Sequence, residues 1–184
     1  AARADFTRCR DLAPATRDGR DCAALLREGL AELPIERARV LVGSGARVLL
    51  QRGVKVGDVV GVVMHNHPQM VLVMLAIVKV GATAGLVNYN QRGAVLAHSL
   101  GILETETIIV GAEDLEAFDS LDAADRPADG VVLTIDQLAE QARQVREQDP
   151  RATENPAVTA TLPASTRAFY VFTSGTTGMP KASI

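Results

Sequence analysis

The sequence predicts an α/β fold, a largely parallel sheet with helices on both faces, and two observations carry that prediction. From about residue 35 onward, short apolar runs alternate with segments whose apolar residues recur at helical spacing. The runs are apolar at nearly every position, not at alternate ones, as strands covered on both faces are. With 184 residues and 47% hydrophobic content the chain can bury a sizeable core, and 3% aromatic content makes that core aliphatic.

The elements follow in order. Ile35, Ala38, Val42, Ala46 and Leu49 share one face of a helix, with Arg37, Arg39 and Arg47 off it and Gly53 as a natural stop. Residues 54–58 read as a turn and Val59–Met64 as a short buried strand. Pro68 suits a first helical turn, and Met70–Val80 is apolar nearly all round, as in a helix enclosed in an α/β layer. Thr83–Val87 is a second strand, and Gly93–Leu103 a helix with Val95, Leu96, Leu100 and Leu103 inward. Thr107–Val110 is a third strand, Glu113–Leu121 a short helix and Val131–Leu133 a fourth strand. Thr134 followed by Gln137 forms a capping box, opening a helix with Ile135, Leu138, Ala142 and Val145 on one face. The stretch 149–167, with Pro150, Pro156 and Pro163, is a polar loop before a fifth strand at Ala168–Phe172. Residues 1–34 are an arm with one helix expected at Ala23–Leu33, and 35–184 an incomplete α/β domain ending at the loop after the fifth strand.

Net charge of −3 and a pI near 5.6 exclude nucleic acid as an electrostatic partner. No basic segment followed by an apolar one opens the chain, so no secretory signal is expected. The run Met70–Val87 is interrupted by Lys79, Gly81 and Gly85 and divides into a helix and a strand, which excludes a membrane span there. Cys9 and Cys22 have no partner pattern and read as reduced thiols of a cytoplasmic protein.

Candidate ligands are few. His65 and His67 would share a face of an extended segment, but no third metal ligand lies near in sequence, so they read as solvated or hydrogen-bonded loop histidines. His98 reads as a packed or capping residue, and Glu104, Glu106, Glu113, Asp114 and Glu116 as a solvated face. Asn88 and Asn90 could cap the helix at Gly93, with Arg92 pairing on the surface.

The informative chemistry follows the fifth strand. Thr173, Ser174, Gly175, Thr176, Thr177 and Gly178 run through Met179 and Pro180 to Lys181. Gly175 and Gly178 let the backbone turn its N–H groups inward, the hydroxyls add donors, and Lys181 adds a point charge for phosphate oxygens. The spacing differs from a Walker A loop, because only two residues separate the glycines and Met179-Pro180 precedes the lysine.

This string resembles the signature of the adenylate-forming (AMP-binding) superfamily, which includes acyl-CoA synthetases, luciferases and peptide-synthetase adenylation domains. Residues 87–98, with Asn88, Asn90, Arg92 and His98, and the Asn66-x-Pro68 triplet, resemble fatty acid transport proteins, which are very-long-chain acyl-CoA synthetases. The resemblance implies ATP, Mg2+ and coenzyme A, with a fatty acid joined to the α-phosphate and then passed to CoA. It places Thr173–Gly178 and Lys181 on the β- and γ-phosphates and implies no catalytic residue in this stretch. The family's magnesium-binding and ribose-binding residues and its adenylation lysine belong to later parts of its chains, so the 184-residue chain is expected to be inactive alone. It is also expected to self-associate, with an unpaired edge on the fifth strand. The expected location is cytoplasmic, with peripheral attachment at the inner face of the cell membrane as a further option. The alternatives are an aryl-CoA ligase, a peptide-synthetase adenylation domain, or a non-catalytic nucleotide-binding module.

Overall fold

The computed structural model describes residues 35–126, 131–173 and 179–183. The helix expected at Ala23–Leu33, Cys9 and Cys22 lie outside the described residues.

Helix α1 (Ile35–Gln51) buries Val42, Ala46, Val48 and Leu49, with a stripe of small residues from Gly43 to Ala46. Small residues there allow close approach: a Cβ on Gly43 would lie 2.5 Å from the Thr153 carbonyl oxygen. Ile35, expected on the inward face, is 82% exposed. Strand β1 (Val59–Val63) follows, then α2 (Pro68–Lys79), β2 (Thr83–Val87), α3 (Gly93–Leu103) and β3 (Thr107–Val110). A 3-10 turn (Ala112–Asp114) leads into the short α4 (Leu115–Asp119). Strand β4 (Val131–Thr134) runs directly into α5 (Ile135–Gln148), where the expected capping box of Thr134 and Gln137 is present with both of its hydrogen bonds.

The six strands are ordered β4-β3-β1-β2-β5-β6 once β5 (Phe169–Thr173) and β6 (Lys181–Ser183) are added. All neighbours are parallel except β5 and β6. The chain steps from β1 to β2 in one direction and from β2 back past β1 to β3 in the other. Right-handed crossovers then put α2 and α3 on opposite faces of the sheet. The α3 face holds a core of Val63, Val87, Leu96, Leu100, Leu103, Ile108, Val110 and Phe118. Gly61 and Gly85 admit the helix closely there, since a Cβ on Gly85 would come within 2.5 Å of Leu103 Cδ1.

Several expectations need correction. Val71 and Leu75 on α2 are 37% and 45% exposed, and Val95 on α3 is 37% exposed. A helix laid on a sheet buries one stripe, and the opposite stripe stays open among the described residues, however apolar its sequence. The polar stretch 149–167 contains two 3-10 turns (Pro150–Thr153 and Ala157–Thr161) and a fully buried Ala152. The edge of β5 is not free: Val171, Phe172 and Thr173 pair antiparallel with Ser183, Ala182 and Lys181.

Two glycine substitutions should move stability in opposite directions. Gly43→Ala must displace the Thr153 backbone and should cost about 1–3 kcal/mol. Gly101→Ala meets nothing within 4 Å and should gain about 0.5–1 kcal/mol through helix propensity. Urea melts of the two variants beside the parent check both signs.

Candidate functional site

Ligands of open parallel sheets bind beyond the carboxyl ends of strands, at a point where the chain leaves neighbouring strands in opposite directions. Strands β1 and β3 are such a pair, since β1 leads toward β2 and β3 toward β4. Their ends are level, with Val63 in register with both Val87 and Val110. The residues that follow these strands therefore converge on one edge.

His65, just past β1, meets Asp114, just past β3. The imidazole Nδ1 lies 2.6 Å from one carboxylate oxygen, and the His65 backbone N–H donates to the other at 2.8 Å. Asp114 is 1% exposed, so this carboxylate has left the solvated face that its acidic neighbours suggested. A Cβ on Gly111 would lie 2.5 Å from Asp114 Oδ2, which makes glycine necessary at that turn. Burial pushes the Asp114 carboxyl above its ordinary range, and the hydrogen bonds and charge of His65 oppose that push. Tyr89, just past β2, stacks on the His65 ring with centroids 3.7 Å apart and fixes its plane.

Glu113 completes a trio with His65 and Asp114 whose ligating atoms lie within 4.8 Å of one another. The fold thus brings two carboxylates to His65 and leaves His67 out of the trio, and an imidazole with two carboxylates is a donor set for a divalent cation. Both Asp114 oxygens are, however, already engaged by His65. His67 points elsewhere in its chemistry: its Nδ1 is buried with no hydrogen-bond partner among the described residues. Burial lowers its pKa, the Glu113 charge works against that, and His65 adds to it.

Asn88 and Asn90 do not cap α3. Asn88 Oδ1 accepts from Asn90 N–H at 2.9 Å, an Asx turn that uses the side chain before the helix begins. The N-cap is Arg92, whose guanidinium donates to the carbonyls of Tyr89 and Gln91 and not to a surface partner. Ser120 Oγ accepts from the first helical N–H, that of Gly93, at 2.9 Å.

At the end of β5, Thr173 stands opposite Lys181, the first residue of β6. The Thr173 hydroxyl donates to the Lys181 carbonyl at 3.4 Å, and both residues are exposed. Ser174, Gly175, Thr176, Thr177 and Gly178 lie outside the described residues. His98 is half-buried on α3, and its Nε2 lies 3.2 Å from the Pro180 carbonyl oxygen. A cleft of about 230 Å³ lined by Val56, Gly81, Thr83 and Arg167 sits at the amino ends of β1, β2 and β5. That is the opposite edge from Thr173 and Lys181, and the wrong end of a parallel sheet for a ligand. Sequence reasoning missed Asp114 and Tyr89, although each sits just past the carboxyl end of a strand.

The pKa lowering of His67 has a signed consequence. Between its lowered folded value and its ordinary value of 6.5, the unfolded chain binds the extra proton, so stability rises with pH across that window. Above 6.5 this contribution is flat. Urea midpoints from roughly pH 5 to pH 7.5 should show the rise, and His67→Asn should remove part of it.

Residues 37–183 match the model of the AMP-binding enzyme family. The chain is 42% identical over 159 residues to a medium/long-chain-fatty-acid–CoA ligase of Mycobacterium tuberculosis, covering 86% of this chain and 26% of that protein. It is 32% identical over 154 residues to the rat long-chain fatty acid transport protein 1, covering 76% of this chain and 22% of that one. Among solved structures, a Mycobacterium tuberculosis fatty acyl CoA synthetase superposes with a TM-score of 0.69 at 26% identity, over 82% of this chain and 28% of that chain. The chain spans about a quarter of the length of these relatives. A family match over nearly all described residues, on a doubly wound and largely parallel sheet, identifies this chain as a member of the AMP-binding enzyme family.

Proposed function

We propose that the chain is the N-terminal part of an ATP-dependent, AMP-forming long-chain fatty-acid–CoA ligase. The observation that carries this reading is the 42% identity to a medium/long-chain-fatty-acid–CoA ligase. Its partners are a fatty acid, ATP and coenzyme A. A fatty-acid carboxylate oxygen attacks the α-phosphorus of ATP, the bond to the β-phosphate oxygen breaks, and pyrophosphate leaves. The CoA thiolate then attacks the acyl carbonyl carbon, and AMP leaves with the former carboxylate oxygen.

The part assigned to this chain is the hold on the departing phosphates. Thr173, Ser174, Thr176 and Thr177 would donate hydroxyls, Gly175 and Gly178 backbone N–H groups, and Lys181 positive charge to the β- and γ-phosphates. These groups position and neutralise; none takes a proton from the substrate, whose carboxylate is already ionised. Mg2+ would enter here as part of the substrate MgATP. Among the described residues no helix is long and apolar enough to cross a membrane. A cytoplasmic enzyme, peripherally attached at the inner membrane face, suits a long-chain substrate that partitions into lipid. The exposed Val71, Leu75 and Val171 support self-association of the 184-residue chain when isolated.

The full-length protein should exchange pyrophosphate into ATP in the presence of long-chain fatty acids, and the isolated chain should not. Exchange driven by amino acids instead would reassign it to the peptide-synthetase branch. Lys181→Ala in the full-length protein removes a charge-assisted hydrogen bond worth about 1.5–3 kcal/mol, so exchange at subsaturating MgATP should fall roughly tenfold to over a hundredfold. The melting temperature should be unchanged, because Lys181 is exposed. Normal kinetics, or loss of the cooperative melt, would remove Lys181 from this role.

A further inference from the structure

We infer that His98 is a positioning residue for MgATP, tying the exit of the glycine–hydroxyl loop to helix α3. The inference rests on the phosphate-binding reading of that loop. His98 Nε2 lies 3.2 Å from the carbonyl oxygen of Pro180, the residue immediately before Lys181. A carbonyl only accepts, so Nε2 carries the proton in this contact and the imidazole donates. Pro180 has no N–H and a fixed φ, so an anchor on its carbonyl sets the direction in which the chain enters Lys181.

The loop is held at a second point. Thr173 and Lys181 are paired residues of β5 and β6, joined also by the Thr173 hydroxyl on the Lys181 carbonyl at 3.4 Å. Strand pairing sets Thr173 beside Lys181. His98 adds a polar tie from the residue before Lys181 to α3, which is itself seated on the sheet through Leu100 near Gly61 and Leu103 against Gly85. The lysine of such a loop has many rotamers, and a fixed backbone origin reduces the ordering it must undergo when phosphate binds. The histidine therefore acts on nucleotide affinity through the loop, without touching the nucleotide.

Two isosteric substitutions separate this role from simple packing. Glutamine places an amide N–H near the position of Nε2, and asparagine is one methylene too short to reach Pro180. In the full-length protein, His98→Asn should raise the Kd for MgATP about three- to tenfold, as loss of one hydrogen bond would. His98→Gln should stay within about twofold of the parent, and both should melt at the parent temperature. Equal affinities in both variants, or equal losses in both, would overturn the inference. Equilibrium titration with MgATP reads the tie whatever acyl substrate is used. Absence of fatty-acid-dependent pyrophosphate exchange in the parent would instead overturn the proposed ligase activity and leave this result standing.

Discussion

The close seating of α3 on the sheet is the contact from which the rest of the described structure is organised. Two strand positions, Gly61 and Gly85, lack side chains where Leu100 and Leu103 descend, and a Cβ at Gly85 would lie 2.5 Å from Leu103 Cδ1. With that spacing the helix can bury Leu96, Leu100 and Leu103 in one cluster with Val63, Val87, Ile108 and Val110. A larger residue at Gly85 would push against Leu103 and disturb that close packing. The same helix presents His98 to Pro180 and accepts its first-turn support from Ser120 after α4. Core packing and loop placement are therefore linked through one element.

At the carboxyl edge of the sheet, a buried carboxylate is held by its partners. Asp114 is nearly inaccessible, yet both of its oxygens are met by His65, through the ring and through the backbone. Removing either partner would leave a desolvated charge or donor, which is costlier than the pair is favourable. Tyr89 stacking holds the ring in the orientation the carboxylate needs. These contacts join the ends of β1, β2 and β3 at one edge of the sheet, the edge at which Thr173 ends β5.

Membership of the AMP-binding family and the position of the loop agree with one another for a physical reason. A parallel sheet aligns its strand ends, so Thr173, which closes β5, lies at the edge where ligands of such sheets bind. Antiparallel pairing of β6 with β5 then returns the chain beside the strand it left and sets Lys181 opposite Thr173. Charge and hydroxyl are brought to the mouth of the same hairpin.

The local sequence determined most of the elements. Thr83–Val87, Gly93–Leu103 and Thr107–Val110 have the bounds their apolar patterns predict, and the Thr134–Gln137 capping box forms as its spacing requires. These features depend on residues at most a few positions apart, so they are legible along the chain. The glycine–hydroxyl string ending in Lys181 was legible for the same reason. The pairing of His65 with Asp114, the stacking of Tyr89, the role of Ser120 at Gly93 and the tie from His98 to Pro180 were not. Each joins residues far apart in sequence, and strand order alone decides which of them meet. The three residues Lys181–Ser183 show the limit most plainly, because a segment that short has no period to read and becomes a strand only through the ladder that β5 offers it.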